Sequence, residues 1–436
     1  MPPLPRSSSR RRFIHVGGGI VSGATVGPLA AGAAPAAAAP RGGWFPTGDA
    51  TLRVGLVGCG GRGIGATVLA LDADPSVRIV AVGDLFADQA AAAVEAVGRA
   101  TADRPGGPHP APLRFVGAEA CAGVLAAGAD LVILATPPAG RPGELEAAVA
   151  AGCHVFCEAP LAIDAGGCLR AARALAVARH RRLAVGSGLA FRHDDATAAV
   201  IGQIRAGAIG RPRALLMATE AGLPWRVPHR PGMSGAEWRQ RNWISFADLG
   251  GGPLLERQVH AIDKALWALG DAVPVSATGR VLPGRRDRRS IGDVTDGLSI
   301  RYHFASGVGL HVLCLRNGTG EGLAEETVRG SGGTADLRAG VVTRHPSRGA
   351  TLSFGPCGSD GSRYRASIGT LVGAIRSGVP LHEGPGLVRA TAVALLGRTA
   401  AHAGTTVGWA DAGLPADGTN RPFDTAVTIR QAVNIT

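Results

Sequence analysis

The fold is decided by one stretch of sequence, Leu52-Arg53-Val54-Gly55-Leu56-Val57-Gly58-Cys59-Gly60-Gly61-Arg62-Gly63. An apolar run typical of a buried strand ends in the pattern G-x-G-x-x-G, and an alanine-rich segment that favours a helix follows. In this pattern Gly58 permits a tight turn, Gly60 lets the backbone approach a pyrophosphate, and Gly63 allows close packing of helix on strand. The pattern predicts a dinucleotide site at Gly58, Gly60, Gly61, Arg62 and Gly63.

A second apolar run, residues 77–83, ends in Asp84, 26 residues after Gly58. A carboxylate at this position accepts hydrogen bonds from the ribose hydroxyls of NAD and repels the 2′-phosphate of NADP. The next residues, Leu85 and Phe86, supply no arginine for that phosphate. We therefore predict that the cofactor is NAD and not NADP.

Strands and helices alternate through the next hundred residues. Helical segments at about 87–100, 143–151 and 165–179 alternate with apolar runs at 131–135, 154–157 and 183–186. A continuous apolar run is typical of a strand buried on both faces of a parallel sheet. The alternation predicts a doubly wound α/β Rossmann domain over residues 51–188.

The pattern changes after about Leu189. Longer strands are predicted at 213–219, 273–281, 297–304 and 307–315, and the last two form an antiparallel hairpin across a short turn. Helices are predicted at 195–206, 256–269, 367–377 and 387–403. This pattern predicts an α+β domain with an open sheet over residues 189–410, followed by a tail at 411–436.

The first forty residues have the features of an export signal. Ser9-Arg10-Arg11-Arg12-Phe13-Ile14 fits the twin-arginine pattern, and a Gly/Ala-rich stretch with small residues suited to cleavage follows. Six glycines and a proline between Val16 and Ala34 make that stretch unsuitable as a membrane span. We predict export to the periplasm or the extracellular space, with no membrane attachment after cleavage.

Composition narrows the remaining classes. The net charge of +12 falls when residues 1–40 are removed, leaving 41 basic against 33 acidic residues that are scattered along the chain. Without a dense basic run interleaved with aromatics, a nucleic-acid partner is not expected. Cys153, His154 and Cys157 lie in an apolar run without a second ligand pair, so we interpret them as buried strand residues and predict no metal site.

The chain resembles the glucose–fructose oxidoreductase/inositol dehydrogenase (Gfo/Idh/MocA) family from about Thr51 to Trp409. The resemblance rests on the glycine-rich turn and on four further segments: Ala135-Thr136-Pro137-Pro138, Gly152 to Pro160, His260-Ala261-Ile262-Asp263-Lys264 and Ala374 to Leu381. It implies a mostly antiparallel second sheet that also builds homo-oligomers, and hydride transfer between NAD(P) and a sugar or polyol. It also implies that Thr136, Pro137 and Glu158 contact the cofactor.

The resemblance breaks down at Ala159. The family's strand-end tripeptide is typically Glu-Lys-Pro, and its lysine assists proton transfer beside the nicotinamide. Alanine can neither donate a proton nor stabilise an alkoxide. Ala139 and Ser367-Ile368 also stand where relatives often carry His and a Glu-His pair.

His260 is the predicted general acid–base, because a histidine titrates near neutral pH and stands at the family's site position. Glu256 lies four residues earlier, so both side chains fit one helical face; it either orients His260 or is a charge at the helix start. Arg241 and Trp243 are predicted to line the sugar site, although a core role for Trp243 is equally open. His193 is a further substrate-site candidate.

Three functions follow from these residues. The first is an NAD-dependent sugar or polyol oxidoreductase that uses His260 without the lysine, and we predict this one. The second is a non-catalytic NAD-binding protein. The third is a glycosidase similar to the family's lysine-less NAD-dependent α-N-acetylgalactosaminidases, which recycle bound cofactor.

Overall fold

A computed structural model of the chain describes residues 50–104, 109–283, 291–316, 323–345 and 349–415. The predicted signal peptide at 1–40 lies outside these ranges, as do residues 416–436 of the predicted tail. The two predicted domains fall within them except for residues 105–108, 284–290, 317–322 and 346–348.

The first domain alternates strands and helices as the apolar pattern predicts. Its strands are β1 (Leu52–Val57), β2 (Val77–Asp84), β3 (Leu113–Val116), β4 (Leu131–Leu134), β5 (His154–Cys157) and β6 (Val185–Ser187). Its helices are α1 (Gly61–Ala73), α2 (Ala87–Thr101), α3 (Ala120–Ala126), α4 (Arg141–Ala150) and α5 (Ala165–His180).

These six strands form one parallel sheet in the order β3-β2-β1-β4-β5-β6. The order reverses between β1 and β4, and ligands of doubly wound sheets bind at the carboxyl ends of the strands at that point. Every residue of β4 and β5 is buried, in keeping with strands covered by helices on both faces. The Rossmann prediction is confirmed.

The second domain carries the remaining elements. Its helices are α6 (Asp195–Arg205), α7 (Gly235–Arg241), α8 (Ala247–Gly250), α9 (Val259–Ala268), α10 (Asp360–Ser377) and α11 (Gly384–Ala403). Its strands are β7 (Pro212–Ala221), β8 (Ser276–Leu282), β9 (Gly297–His303), β10 (Gly309–Arg316), β11 (Ala324–Gly330), β12 (Gly333–Asp336), β13 (Val341–Arg344), β14 (Leu352–Ser353) and β15 (Val407–Gly408).

These nine strands form an open sheet in the order β14-β13-β12-β11-β7-β10-β9-β8-β15. Among the described strands of this second sheet, β7 and β10 pair in parallel and all other neighbours are antiparallel. The predicted β9–β10 hairpin is present, with Leu310 opposite Tyr302. The mostly antiparallel sheet is therefore confirmed, and β11 to β14 extend it beyond the strands that the sequence pattern predicted.

Helix α10 returns to the first domain although it follows the second sheet in the chain. Its apolar side chains Tyr364, Ile368, Leu371 and Ile375 share a core with α1 and with the Rossmann strands. The segment that follows α10 lies along β6, the last strand of the parallel sheet. Val185 N donates to the Leu381 carbonyl oxygen, and Glu383 N donates to the Val185 carbonyl oxygen. The N-terminal end of α10 therefore lies at the carboxyl edge of the parallel sheet, where the candidate site is found.

Candidate functional site

The glycines of the β1–α1 turn divide into two kinds. A Cβ on Gly63 would lie 2.0 Å from the carbonyl oxygen of Gly58. Gly58 has a positive φ of +92°, and a Cβ on it would lie 2.5 Å from Thr136 N. These two positions accept only glycine because strand, helix and neighbouring loop meet there. An added Cβ on Gly60 or Gly61 meets nothing within 4 Å. No side chain caps the first turn of α1, so its N-terminus faces open space suited to an anion.

Asp84 ends β2 beside this turn. Its Oδ2 accepts a hydrogen bond from Cys59 N at 2.7 Å and its Oδ1 accepts one from Phe86 N at 2.9 Å. Each carboxylate oxygen has a second lone pair, so the side chain can still accept bonds from a diol. It lines a cavity of about 350 Å³ together with Gly58, Gly60, Gly61, Thr136 and Pro137.

A larger cavity of about 990 Å³ adjoins the first one. The two share Gly60, Gly61, Ala135, Trp225 and Trp243 as lining residues. The larger one continues past Arg62 to the end of β5 and to the start of α9 and α10. Its polar and strand-end lining residues include Glu158, Ala159, Glu256, His260, Asp360 and Tyr364.

Arg141 fixes the two strand ends that border this cavity. Its side chain is buried and donates hydrogen bonds to the carbonyl oxygens of Thr136, Glu158 and Pro160. One guanidinium therefore ties the loop after β4 to the loop after β5, which holds Ala159 at the cavity wall. The hydroxyl of Thr136 in turn donates to Glu144 Oε2.

Glu158 is a buried carboxyl at the floor of the larger cavity. The Tyr364 hydroxyl donates to its Oε2 at 2.8 Å, and its Oε1 has no hydrogen-bond partner among the described residues. Burial raises the pKa of Glu158, and the nearby Arg62 and the bond from Tyr364 partly offset that rise. Arg62 stacks on the Tyr364 ring, with Cζ 4.2 Å from the ring centroid.

His260 lies in the first turn of α9 and faces the same cavity. Burial, together with the positive charges of Lys264 and Arg62, lowers its pKa to about 4. Its Nδ1 is buried without a hydrogen-bond partner among the described residues. The ring packs beside Phe191 at 6.1 Å between centroids, and Lys264 Nζ lies over the same Phe191 ring at 3.8 Å. His260 is consequently neutral at pH 7.

Glu256 lines the cavity from a different backbone setting than the sequence suggests. It lies in a π-helical turn, Leu254–Gln258, that runs directly into α9, and it lines the same cavity as His260. Arg257 Nε is 3.3 Å from Glu256 Oε2 without hydrogen-bond alignment, and this oxygen has no other partner in the described chain. Burial raises the pKa of Glu256, and Arg257 and Arg316 partly oppose the rise.

The three predicted substrate residues lie in different places. Trp243 lines both cavities. Arg241 lines only the smaller one, beside Asp84, and pairs with Asp88 at 3.0 Å. His193 is among the lining residues of neither cavity; its Nε2 lies 2.6 Å from Glu383 Oε1, at the end of β6.

Sequence reasoning missed Tyr364, Trp225 and Arg141. Tyr364 is one of two tyrosines in the chain, but it reaches Glu158 only because α10 folds back across the first domain. Trp225 packs edge-on against Trp243 at 5.7 Å. The only sequence feature that could have indicated Trp225 and Tyr364 is the scarcity of aromatic residues in this chain. Where aromatic residues are few, each tryptophan or tyrosine is a candidate for lining a binding site.

Within the described ranges no group of three or more His, Cys, Asp or Glu side chains is arranged to hold a metal ion. Cys153 and Cys157 are buried, the latter within β5, as the apolar run predicts. In the same ranges no helix combines the length and the apolar character needed to cross a membrane.

Two family models match the chain in sequence order. Residues 52–187 match the oxidoreductase family's NAD-binding Rossmann fold, and residues 198–336 match the GFO/IDH/MocA C-terminal domain. The chain belongs to the Gfo/Idh/MocA family. The first match begins and ends with the parallel sheet, and the second contains His260 and the strands β7 to β12.

Curated relatives of this Gfo/Idh/MocA protein include two sugar-related enzymes. An inositol 2-dehydrogenase of Acidothermus cellulolyticus is 32% identical over 48% of this chain and 54% of its own length. A dTDP-3,4-didehydro-2,6-dideoxy-alpha-D-glucose 3-reductase of Streptomyces violaceoruber is 31% identical over 51% of this chain and 56% of its own. The matched segments thus span about half the length of these relatives.

Solved structures share the architecture of this chain. The WlbA dehydrogenase from Bordetella pertussis, in complex with NADH and UDP-GlcNAcA, aligns with a TM-score of 0.63 at 18% identity over 84% of this chain and all of that one. GenD2 from gentamicin A biosynthesis, in complex with NAD, aligns with a TM-score of 0.60 at 21% identity over 85% and 99%. At such identities the likeness is one of fold.

Proposed function

We propose that this chain is an NAD-dependent oxidoreductase that transfers a hydride between the cofactor and a sugar or polyol. The observation that carries the proposal is the continuity of the two cavities. One wall runs from Asp84 past the Gly60-Gly61 turn to His260, Glu158 and Ala159. A cleft of this kind holds a dinucleotide at one end and a small polar substrate at the other.

The residues of the cleft fit NAD. Gly60 and Gly61 leave space at the start of α1 for the pyrophosphate, and Asp84 offers acceptors to the adenosine ribose. Thr136 and Pro137 line the same cavity after β4, and Glu158 lies farther along after β5. When bound, the nicotinamide supplies the hydride acceptor or donor, and the protein supplies position and proton transfer.

Oxidation of a hydroxyl carbon also requires a base for the O–H proton. His260 is neutral at pH 7 because its pKa is about 4, so its lone pair is available to accept that proton. The carboxylate of Asp360 opposes the pKa depression and favours the imidazolium that forms. Ala159 contributes no amine, so we assign proton transfer to His260, with the carboxyls of Glu256 and Glu158 lining the same cavity.

A cofactor and substrate survey tests the proposal. Purified protein without the leader is assayed for bound NAD(H), and sugars and polyols are then screened for a change in the reduced-nicotinamide absorbance band. We expect NAD binding and at least one substrate that changes the absorbance. Protein that binds no dinucleotide would overturn the proposal, whereas binding without turnover would favour the non-catalytic alternative.

Asp84→Ala should weaken NAD binding by roughly 1–3 kcal/mol, since charge-assisted hydrogen bonds to the ribose are lost. Calorimetric titration with NAD and NADP measures the change. Because Asp84 also accepts bonds from Cys59 N and Phe86 N, thermal unfolding of the variant serves as the control for a disturbed loop. Wild-type protein that binds NADP as tightly as NAD would contradict the assignment of Asp84.

We also propose export by the twin-arginine route and assembly into a homo-oligomer through the nine-stranded sheet. Export is supported by the arginine pair in residues 9–14.

Assembly is supported by β10, whose residues alternate between buried and half-buried. One face of this strand packs inside the domain, and the other face is available to a second copy of the chain.

Replacement of Arg10 and Arg11 by lysine should retain the protein in the cytoplasm, because this export route recognises the arginine pair itself. Cell fractionation and immunoblotting of wild type and the double variant measure the distribution. Lysine keeps the positive charge, so the variant is its own control for charge. Normal amounts of the variant outside the cytoplasm would refute the twin-arginine assignment.

A further inference from the structure

Arg241 comes from the second domain but contacts the first domain beside the predicted ribose site. Its Nη1 and Nη2 donate to the two carboxylate oxygens of Asp88, each at 3.0 Å, and its Nε donates to Glu237 at 2.9 Å. Its Cζ lies 3.9 Å from the centroid of the Phe86 ring. Only 16% of the Arg241 side chain is exposed, against 56% of Asp88. The guanidinium is thus held in one place by three partners.

The same guanidinium borders the cavity that contains Asp84. Phe86 contacts both Asp84 and Arg241: its backbone N–H donates to Asp84 Oδ1, and its ring packs against the Arg241 guanidinium. Asp84, Phe86 and Arg241 all line the smaller cavity. The β2–α2 turn itself contains no arginine, but Arg241 of the second domain lies next to it.

An arginine near the adenosine ribose is the usual partner of the 2′-phosphate of NADP, because its planar fork binds phosphate oxygens bidentately. Here Asp88, in the first turn of α2, already accepts hydrogen bonds from both Nη1 and Nη2 of Arg241. A phosphate would have to displace a carboxylate that already neutralises the guanidinium.

We propose that Arg241 faces the 2′ position of the adenosine ribose and that Asp88, by pairing with Arg241, enforces the preference for NAD over NADP. Asp84 repels the phosphate directly, and Asp88 removes the cation that would attract it. The proposal rests on the dinucleotide-binding part of the proposed function, and it makes Asp88 a specificity-determining residue.

Calorimetric titration of NAD and NADP tests the proposal without any assay of turnover. The variants are Asp88→Asn, Asp84→Ser, Asp84→Ser with Asp88→Asn, and the last with Arg241→Met added. Serine leaves room for a phosphate at position 84, and asparagine keeps the size of Asp88 while removing its charge. Methionine retains much of the aliphatic length of Arg241 over the Phe86 ring without the guanidinium.

In the Asp84→Ser background, Asp88→Asn should strengthen NADP binding about tenfold or more and change NAD binding less than threefold. The gain should shrink as the salt concentration rises, and Arg241→Met should remove it. A purely structural ion pair between the domains predicts equal changes for both cofactors, and that result overturns the proposal. A gain that survives Arg241→Met also overturns it. If wild type binds neither cofactor, the proposed function fails together with this inference; if wild type binds NAD, the two are judged separately.

Discussion

In the Ala159→Lys variant we expect hydride transfer with a sugar or polyol to rise by roughly 10²–10⁴-fold, the factor that a positioned acid–base group supplies. Ala159 lines the larger cavity with His260 and Glu256, so a lysine there projects from the strand end that Arg141 holds. Its ammonium would stabilise an alkoxide. Glu158 Oε1, which has no hydrogen-bond partner among the described residues, lies on the neighbouring residue and can accept a bond from the ammonium. Steady-state rates in the nicotinamide band measure the gain.

Ala159→Met is the matched control, because it adds similar length without the amine. A gain with lysine and none with methionine supports a dehydrogenase that lost its lysine. No gain with either variant supports a non-catalytic binder, in which Ala139 and Ser367-Ile368 leave the sugar site incomplete. Cleavage of an aryl glycoside by wild type that falls in Ala159→Lys would instead support the lysine-less glycosidase.

His260→Ala should abolish turnover in both the wild-type and the Ala159→Lys backgrounds, with a loss of about 10²-fold or more, because the proton acceptor is removed. The pKa of about 4 also predicts the pH dependence. His260 stays neutral well below its ordinary titration range, so kcat/KM should stay level from about pH 8 down to about pH 5.5 and fall only as the pH approaches 4.

Two controls separate catalysis from packing at His260. His260→Gln keeps much of the ring's volume and a polar end beside Phe191, and NAD affinity measured by calorimetry should be unchanged in both variants. Unchanged activity in His260→Ala would refute the assignment of the base. A rate shoulder near pH 6.5 in wild type would instead show that the imidazole is solvated in the working enzyme.

Much of the first domain followed from local pattern. The runs that form β1, β2, β4 and β5 are apolar because both faces of a parallel sheet are covered by helices. The predicted bounds of these strands agree with the observed ones to within about one residue. Gly58 and Gly63 could be assigned because their small size is needed where the strand, the turn and the helix meet, and the structure shows that close approach directly.

The sequence was less informative about the second domain and its share of the site. The β9–β10 hairpin was predicted from a short turn between two strands, but β11 to β14 were not, since short strands at a sheet edge have little periodicity. The π-helical turn at Leu254–Gln258 also has no sequence pattern that separates it from the start of α9. The sequence pattern predicted one regular helix from residue 256, whereas Glu256 lies in this π-helical turn; Glu256 and His260 nevertheless line the same cavity.

By itself, the sequence determined the glycine turn, the acidic end of β2, the missing lysine at Ala159 and the presence of His260, because each depends on residues close together in the chain. Only the tertiary structure decided which distant side chains meet. It brought Tyr364 to Glu158, paired Arg241 of the second domain with Asp88 of the first and paired His193 with Glu383. Those contacts depend on how α10 and the segment before α8 pack across the first domain, and long-range packing of this kind leaves no periodic trace in the sequence.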